Sequence, residues 1–140
     1  MSGTPEWPRH RTAHRLLGER GAAAVEFALV VPVLIVLLFG IIEFSKAFNT
    51  QSTLSAAARE AARTMALAND AGLARTAAQT AASSLGLTTS AIAITPLTCT
   101  GASATQLVTV TISYRQVFAS GLTGRTGVDL TGTAAMRCGG

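Results

Sequence analysis

Seven carboxylates, two histidines and two cysteines are the residues of this 140-residue sequence most able to carry chemistry. Both histidines, His10 and His14, precede a long apolar run. If the chain is cut at the start of that run, the remainder has no histidine. Histidine general acid–base work, a Ser-His triad and most transition-metal sites then go with it. Beyond residue 42 the carboxylates are Glu43, Glu60, Asp70 and Asp129, none close in sequence to another. They give no paired-carboxylate signature. No GxSxG, Gly-rich phosphate loop or HExxH is present. Cys99 and Cys138 lack CxxC spacing, which argues against a metal or redox motif. Catalytic residues, metal ligands and cofactors are therefore expected to be absent. Aromatic residues make up 5% of the chain and no basic stripe follows the apolar run, so nucleic-acid binding is not expected. No small-molecule substrate is implied either, and the chain reads as a binding protein rather than an enzyme.

The remaining carboxylate of interest is Glu26, inside "RGAAAVEFALVVPVLIVLLFGIIEF". Ala22 to Ile42 is a run of 21 residues, about 31 Å as a helix, which is enough to cross a bilayer core. Pro32 inside it removes a backbone donor and is expected to kink the helix. Arg9, Arg11, Arg15 and Arg20 stand before the run, against Glu6 and Glu19. This basic flank predicts a cytoplasmic N-terminus under the positive-inside rule; the other reading is a nucleic-acid or lipid-binding tail. Three readings of Glu26 are open. It reaches headgroup water near the cytoplasmic edge, with Arg20 or Arg9 nearby. It pairs with a basic group on another helix. Or it pairs with an amine created by cutting between Gly21 and Ala22, whose pKa of about 7.7–8.0 leaves it largely protonated. An adjacent, axially staggered subunit suits that last pairing better than the same chain, and the pair would fix register. Ser45-Lys46-Ala47 leaves a further option, a secretion signal cleaved after Ala47.

These residues must be positioned by elements with readable periods. Met1 to Arg20 has no apolar period and is expected to be a mostly disordered leader. Past the run, Leu54, Ala57, Ala58, Ala61, Ala62 and Met65 recur at helical spacing, so the helix is expected to continue to about Ala68. That face either receives a partner helix, which its small residues would let approach closely, or packs on the chain's own strands. "NDAG" breaks the helix. "LARTAAQTAASSLGL" predicts a second helix with Leu73, Ala77, Thr80, Ala81 and Leu85 on one face and Gly86 at its stop. "AIAITPL", "QLVTVTISYRQVF" and "GVDLTGTAAMRC" predict three strands, the middle one alternating Val108, Val110, Ile112 and Tyr114 with Thr109, Thr111 and Ser113. "GASATQ" and "SGLTGRTG" read as loops. Cys99 and Cys138 both follow the apolar run. In an oxidising compartment they form one disulfide; the other reading is two buried thiols. The fold class is α+β: a long N-terminal transmembrane helix continuing outward, a second helix and a small antiparallel sheet. The expected division is a leader at 1–21, a transmembrane helix at 22–42, its outward continuation at 43–68 and a head at 69–140.

A basic leader, Gly21, four small or apolar residues, then Glu26-Phe27 at the mouth of an apolar helix resemble the processing site of a type IV prepilin. More narrowly, Arg20-Gly21, Val25-Glu26-Phe27-Ala28, Pro32, Glu43-Phe44 and "AAAREAAR" resemble the TadE-like family, pseudopilins or minor pilins of the Tad (Flp-type) pilus system. The resemblance spans roughly Arg20 to Ala66. It implies a pilin-like layout. Gly21 would be the last leader residue and Ala22 the new N-terminus. Glu26 and Phe27 would be read by the peptidase or needed for assembly. It further implies a prepilin peptidase, other Tad pilins or pseudopilins and membrane platform proteins as partners. The location would be the bacterial cytoplasmic membrane, N-terminus inside and head outside, with residence there or incorporation in the pilus as the two fates. The alternative is an uncleaved single-pass membrane protein with an extracellular binding head.

Overall fold

A computed structural model describes residues 15–101, 103, 105–118 and 127–139. His10, His14, Arg9, Arg11 and most of the "SGLTGRTG" loop lie outside these residues, as do the side chains of residues 15–20. Helix α1 runs from Arg15 to Ala68, 54 residues, and passes through Pro32. Helix α2 spans Ala71–Ala81. Two 3₁₀ turns, Ser83–Leu85 and Thr89–Ala91, lead into the strands. These are β1 (Ile92–Thr95), β2 (Leu107–Val117) and β3 (Gly127–Arg137). They form one antiparallel sheet in the order β1-β2-β3. The chain is α+β, as the sequence pattern predicts.

Two differences from the sequence reading have plain causes. The last six residues of the expected mostly disordered leader, from Arg15 to Arg20, are helical, so α1 starts earlier than the apolar run. Arg15, Leu16, Leu17, Glu19 and Arg20 are all good helix formers, and they extend a helix already nucleated downstream. The second difference is the face of α2. It buries Ala74 and Ala78, with Ala82 just beyond, whereas Leu73 is 55% exposed. The expected face is thus turned by about one residue, roughly 100°. Asp70 fixes the start of α2: its Oδ1 accepts from the Gly72 and Leu73 amides at 2.7 and 3.0 Å. This N-cap satisfies donors that the first turn cannot pair. Leu85 still packs on the core, but from the 3₁₀ turn that follows. Gly86 ends that turn at φ 59°, a left-handed conformation that glycine adopts without a Cβ penalty.

Contacts divide the molecule into two compact units, between Phe39 and Gly40. The first is helical from Arg15. From Gly21 to Ile42 every residue is exposed except Val31, which is half-buried. Thirteen of those exposed residues are large and apolar. In water they would forgo on the order of 10 kcal/mol of burial, which a bilayer supplies instead.

The second unit holds the core. Leu54, Ala57, Ala58, Ala61, Ala62 and Met65 of α1 are fully buried. They share one cluster with Val108, Val110 and Ile112 of β2, Ile92 and Ile94 of β1, and the α2 alanines. The small-residue face of α1 is therefore occupied by the chain's own sheet, and the partner-helix reading of that face falls. The join is close: a Cβ on Gly132 of β3 would stand 2.5 Å from the Leu54 carbonyl. Gln51 Nε2 donates to the Thr131 carbonyl at 2.9 Å, and the Gly139 amide donates to the Ala66 carbonyl at 3.2 Å. Eight of the sixteen buried apolar residues described are alanine, so the core is small in volume. Cys99 and Cys138 form a disulfide with a Cα–Cα distance of 5.5 Å and a sequence separation of 39. It ties the segment after β1 to the end of β3. On loop length alone such a link contributes about 4 kcal/mol.

Candidate processing and assembly site

Gly21, Ala22, Glu26 and Phe27 lie on consecutive turns of α1, and all four are exposed. Nothing stands within 4 Å of a Cβ built on Gly21. Phe27 is 70% exposed, so its ring is unused within the chain. Ala22 and Glu26 are four residues apart, which puts them on one helical face about 6 Å apart along the axis. The surroundings of the carboxylate are apolar on every side: Ala22–Val25 before it, Phe27–Val31 after it. The site thus presents one negative charge and one aromatic ring on an otherwise apolar helix surface. It can recognise or pair. Within residues 21–31 Glu26 is the one titratable side chain.

The peptide bond between Gly21 and Ala22 lies inside the helix, six residues from its described start at Arg15. A helical bond has its amide and carbonyl engaged along the axis. Glycines at positions 18 and 21 weaken this turn by about 1 kcal/mol each relative to alanine. Pro32, eleven residues on, sits within continuous helix and lines an open apolar depression with Val33, Val36 and Leu37.

Asn69 is a structural residue that sequence reading passed over. It stands between the helices at φ 51°, a left-handed conformation that Asn tolerates better than most residues. Its side chain accepts from the Cys99 amide and donates to Thr100 Oγ1 at 2.8 Å. It thereby holds the segment that carries one half of the disulfide. The only signal in the sequence was the "ND" pair that marks the break. Among the described residues no group of three or more His, Cys, Asp and Glu side chains is placed to hold a metal ion.

The family model described as TadE-like protein matches residues 21–63. That match begins at Gly21 and ends inside α1. The N-terminal part of this chain is TadE-like. No curated protein and no solved structure matches the chain. The TadE-like match links the chain to Tad pilus-related minor pilins, a structural and non-enzymatic family. The TadE-like segment covers most of the helix, Gly21–Ala68, that is long and apolar enough to cross a membrane once. It also contains most of the α1 face buried on the sheet, but none of α2 or the strands.

Proposed function

We propose that this protein is a minor pilin or pseudopilin that takes part in assembling a Tad (Flp, type IV-like) pilus. The observation that carries the reading is the TadE-like match on α1 starting at Gly21. In this reading residues 22–42 span the bacterial cytoplasmic membrane. Arg9, Arg11, Arg15 and Arg20 hold the leader inside, and the α+β head stands outside. Prepilin peptidase removes residues 1–21 and leaves Ala22 as the N-terminus. The Glu26 carboxylate of one copy then pairs with the Ala22 amine of a neighbouring pilin, offsetting two charges that would otherwise be costly in lipid and fixing the axial stagger. Phe27 packs beside that pair, and Pro32 shapes the helix for its neighbours. Pilins and membrane platform proteins are the partners, through the exposed face of α1 and not through Leu54–Met65.

A second reading keeps the chain whole as a single-pass membrane protein with an extracellular binding head. The continuous helix through Gly21–Ala22 supports it, because a protease would have to unwind that turn before cutting. Ala47, the other cleavage candidate, is half-buried within the same helix, which disfavours release there. The test is the N-terminal sequence and intact mass of the membrane-associated protein from its native host. A start at Ala22 supports the pilin reading. A start at Met1 or Ser2 replaces it with the uncut anchor.

A further inference from the structure

The membrane-facing end of the head can be located from residues of the second unit alone. Gly132 lies against the Leu54 carbonyl, and Gly139 donates to the Ala66 carbonyl. Between these anchors the chain advances seven residues, the last two of them in the turn after β3, while α1 advances twelve, about 18 Å of helix. The chain therefore gains about 2.6 Å per residue along the helix, less than the 3.3 Å of a strand running parallel to it. Followed back five residues to Gly127, it descends about 13 Å, to the level of Lys46. A separate bond agrees: Gln116, which pairs with Val128 across the sheet, accepts from Thr50 Oγ1 at 2.9 Å. Val117 pairs with Gly127 and shares its level. Ile42, the last residue of the apolar run, is only about 6 Å below Lys46.

We propose that this end of the head, made by Phe44, Phe48, Val117, Phe118 and Val128, lies in the lipid headgroup layer and rests on the bilayer surface. The proposal rests on α1 spanning the membrane. The headgroup region is roughly 5–7 Å deep on each side; Phe44 and Phe48 start about 3 and 9 Å above Ile42 on the helix axis, and helical side chains lean back toward the N-terminus, which brings the Phe48 ring down toward that layer. Their chemistry fits that layer. Phe44, Phe48 and Val117 are 73%, 69% and 63% exposed, and Val128 is 36% exposed. Such side chains gain by entering the acyl–headgroup boundary. The polar groups at the same height, Lys46 and the exposed Arg115–Asp129 pair at 3.2 Å, can remain among headgroups and water. The occupant is lipid rather than protein because the patch continues directly from Ile41 and Ile42, which belong to the same compact unit. The head is then held at the membrane at two points, the helix and the ends of β2 and β3.

The test uses the full-length chain in bilayers, with Trp7→Phe removing the native tryptophan. Single tryptophans are placed by Val117→Trp, Phe48→Trp, Leu107→Trp and Val36→Trp, and quenched by lipids brominated near the headgroup end or deep in the acyl chain. Val36→Trp reports whether the span is inserted. Leu107 is on the same strand and face as Val117, ten residues away at the opposite end of β2. The expected result is that shallow bromines at least halve the Val117→Trp and Phe48→Trp emission and leave Leu107→Trp unchanged. Quenching of Val36→Trp without quenching of Val117→Trp overturns the proposal and leaves the membrane reading intact. A blue-shifted but unquenched Val117→Trp also overturns it, and assigns the patch to a protein partner. Absence of quenching at Val36→Trp removes the spanning reading and the proposal together.

Discussion

Gly132→Ala tests the join between α1 and the sheet, on which the position of the head depends. The added Cβ would meet the Leu54 carbonyl carbon and oxygen at 2.5 Å and the Leu54 Cβ at 2.8 Å, where ordinary contact begins at 3.4 Å. Two of the three obstructing atoms belong to helical backbone and cannot rotate away. Helix and strand must therefore part by about 1 Å. A gap of that size forfeits a quarter to a half of the dispersion attraction along the seam. Overpacking of this kind costs roughly 1–3 kcal/mol, and a rigid obstacle puts the cost at the upper end. Alanine recovers about 0.5–1 kcal/mol through its lower chain entropy in a strand. The net expectation is a loss of about 2 kcal/mol. The assay is pulse proteolysis of the full-length protein in detergent across a urea series, with the disulfide intact. With a urea dependence near 1–1.5 kcal/mol/M for a head of this size, the midpoint falls by about 1.5 M. Gly132→Val should fall further, because two more methyl groups must be placed. A Gly132→Ala midpoint equal to that of the native protein would refute the close seating of β3 on Leu54.

Other expectations follow from single residues. Glu26→Ala should abolish leader removal or pilus assembly while membrane insertion is retained or improved, since a charge costing up to about 3 kcal/mol in lipid is gone; immunoblotting of membrane and sheared-pilus fractions reads both. Unimpaired assembly of Glu26→Ala would remove the amine–carboxylate pairing. Cys99→Ser should lower head stability by about 4 kcal/mol, through release of the loop closed by the disulfide, and reduction of the native protein should give the same urea midpoint. Asp70→Ala should cost about 1 kcal/mol and Asp70→Asn much less, because asparagine retains a capping oxygen; equal losses would show that the cap is not the source.

Much of this protein could be read from one dimension. The apolar run, its arginine flank and the Gly21–Glu26 spacing are continuous in sequence, so their meaning does not depend on folding. The same holds for β2, whose alternation of Val108, Val110 and Ile112 with threonines fixes which face is inside. The stripe from Leu54 to Met65 was equally plain, because leucine and methionine mark its direction among the alanines. In α2 that marker misled. Leu73 and Leu85 suggested one face, but an alanine-rich helix has several faces of nearly equal hydrophobicity. Asp70 and packing into the common core beside β1 chose the alanine face, Ala74, Ala78 and Ala82. The sequence equally left open what covered Leu54–Met65, since a sheet and a partner helix bury the same stripe. Only the tertiary structure chose the sheet, with Gly132 permitting the close approach. Local composition determined what each segment is. Long-range contacts, between residues up to 80 positions apart such as Gln51 and Thr131, decided what each segment touches, because packing energy depends on partners that a linear pattern does not name.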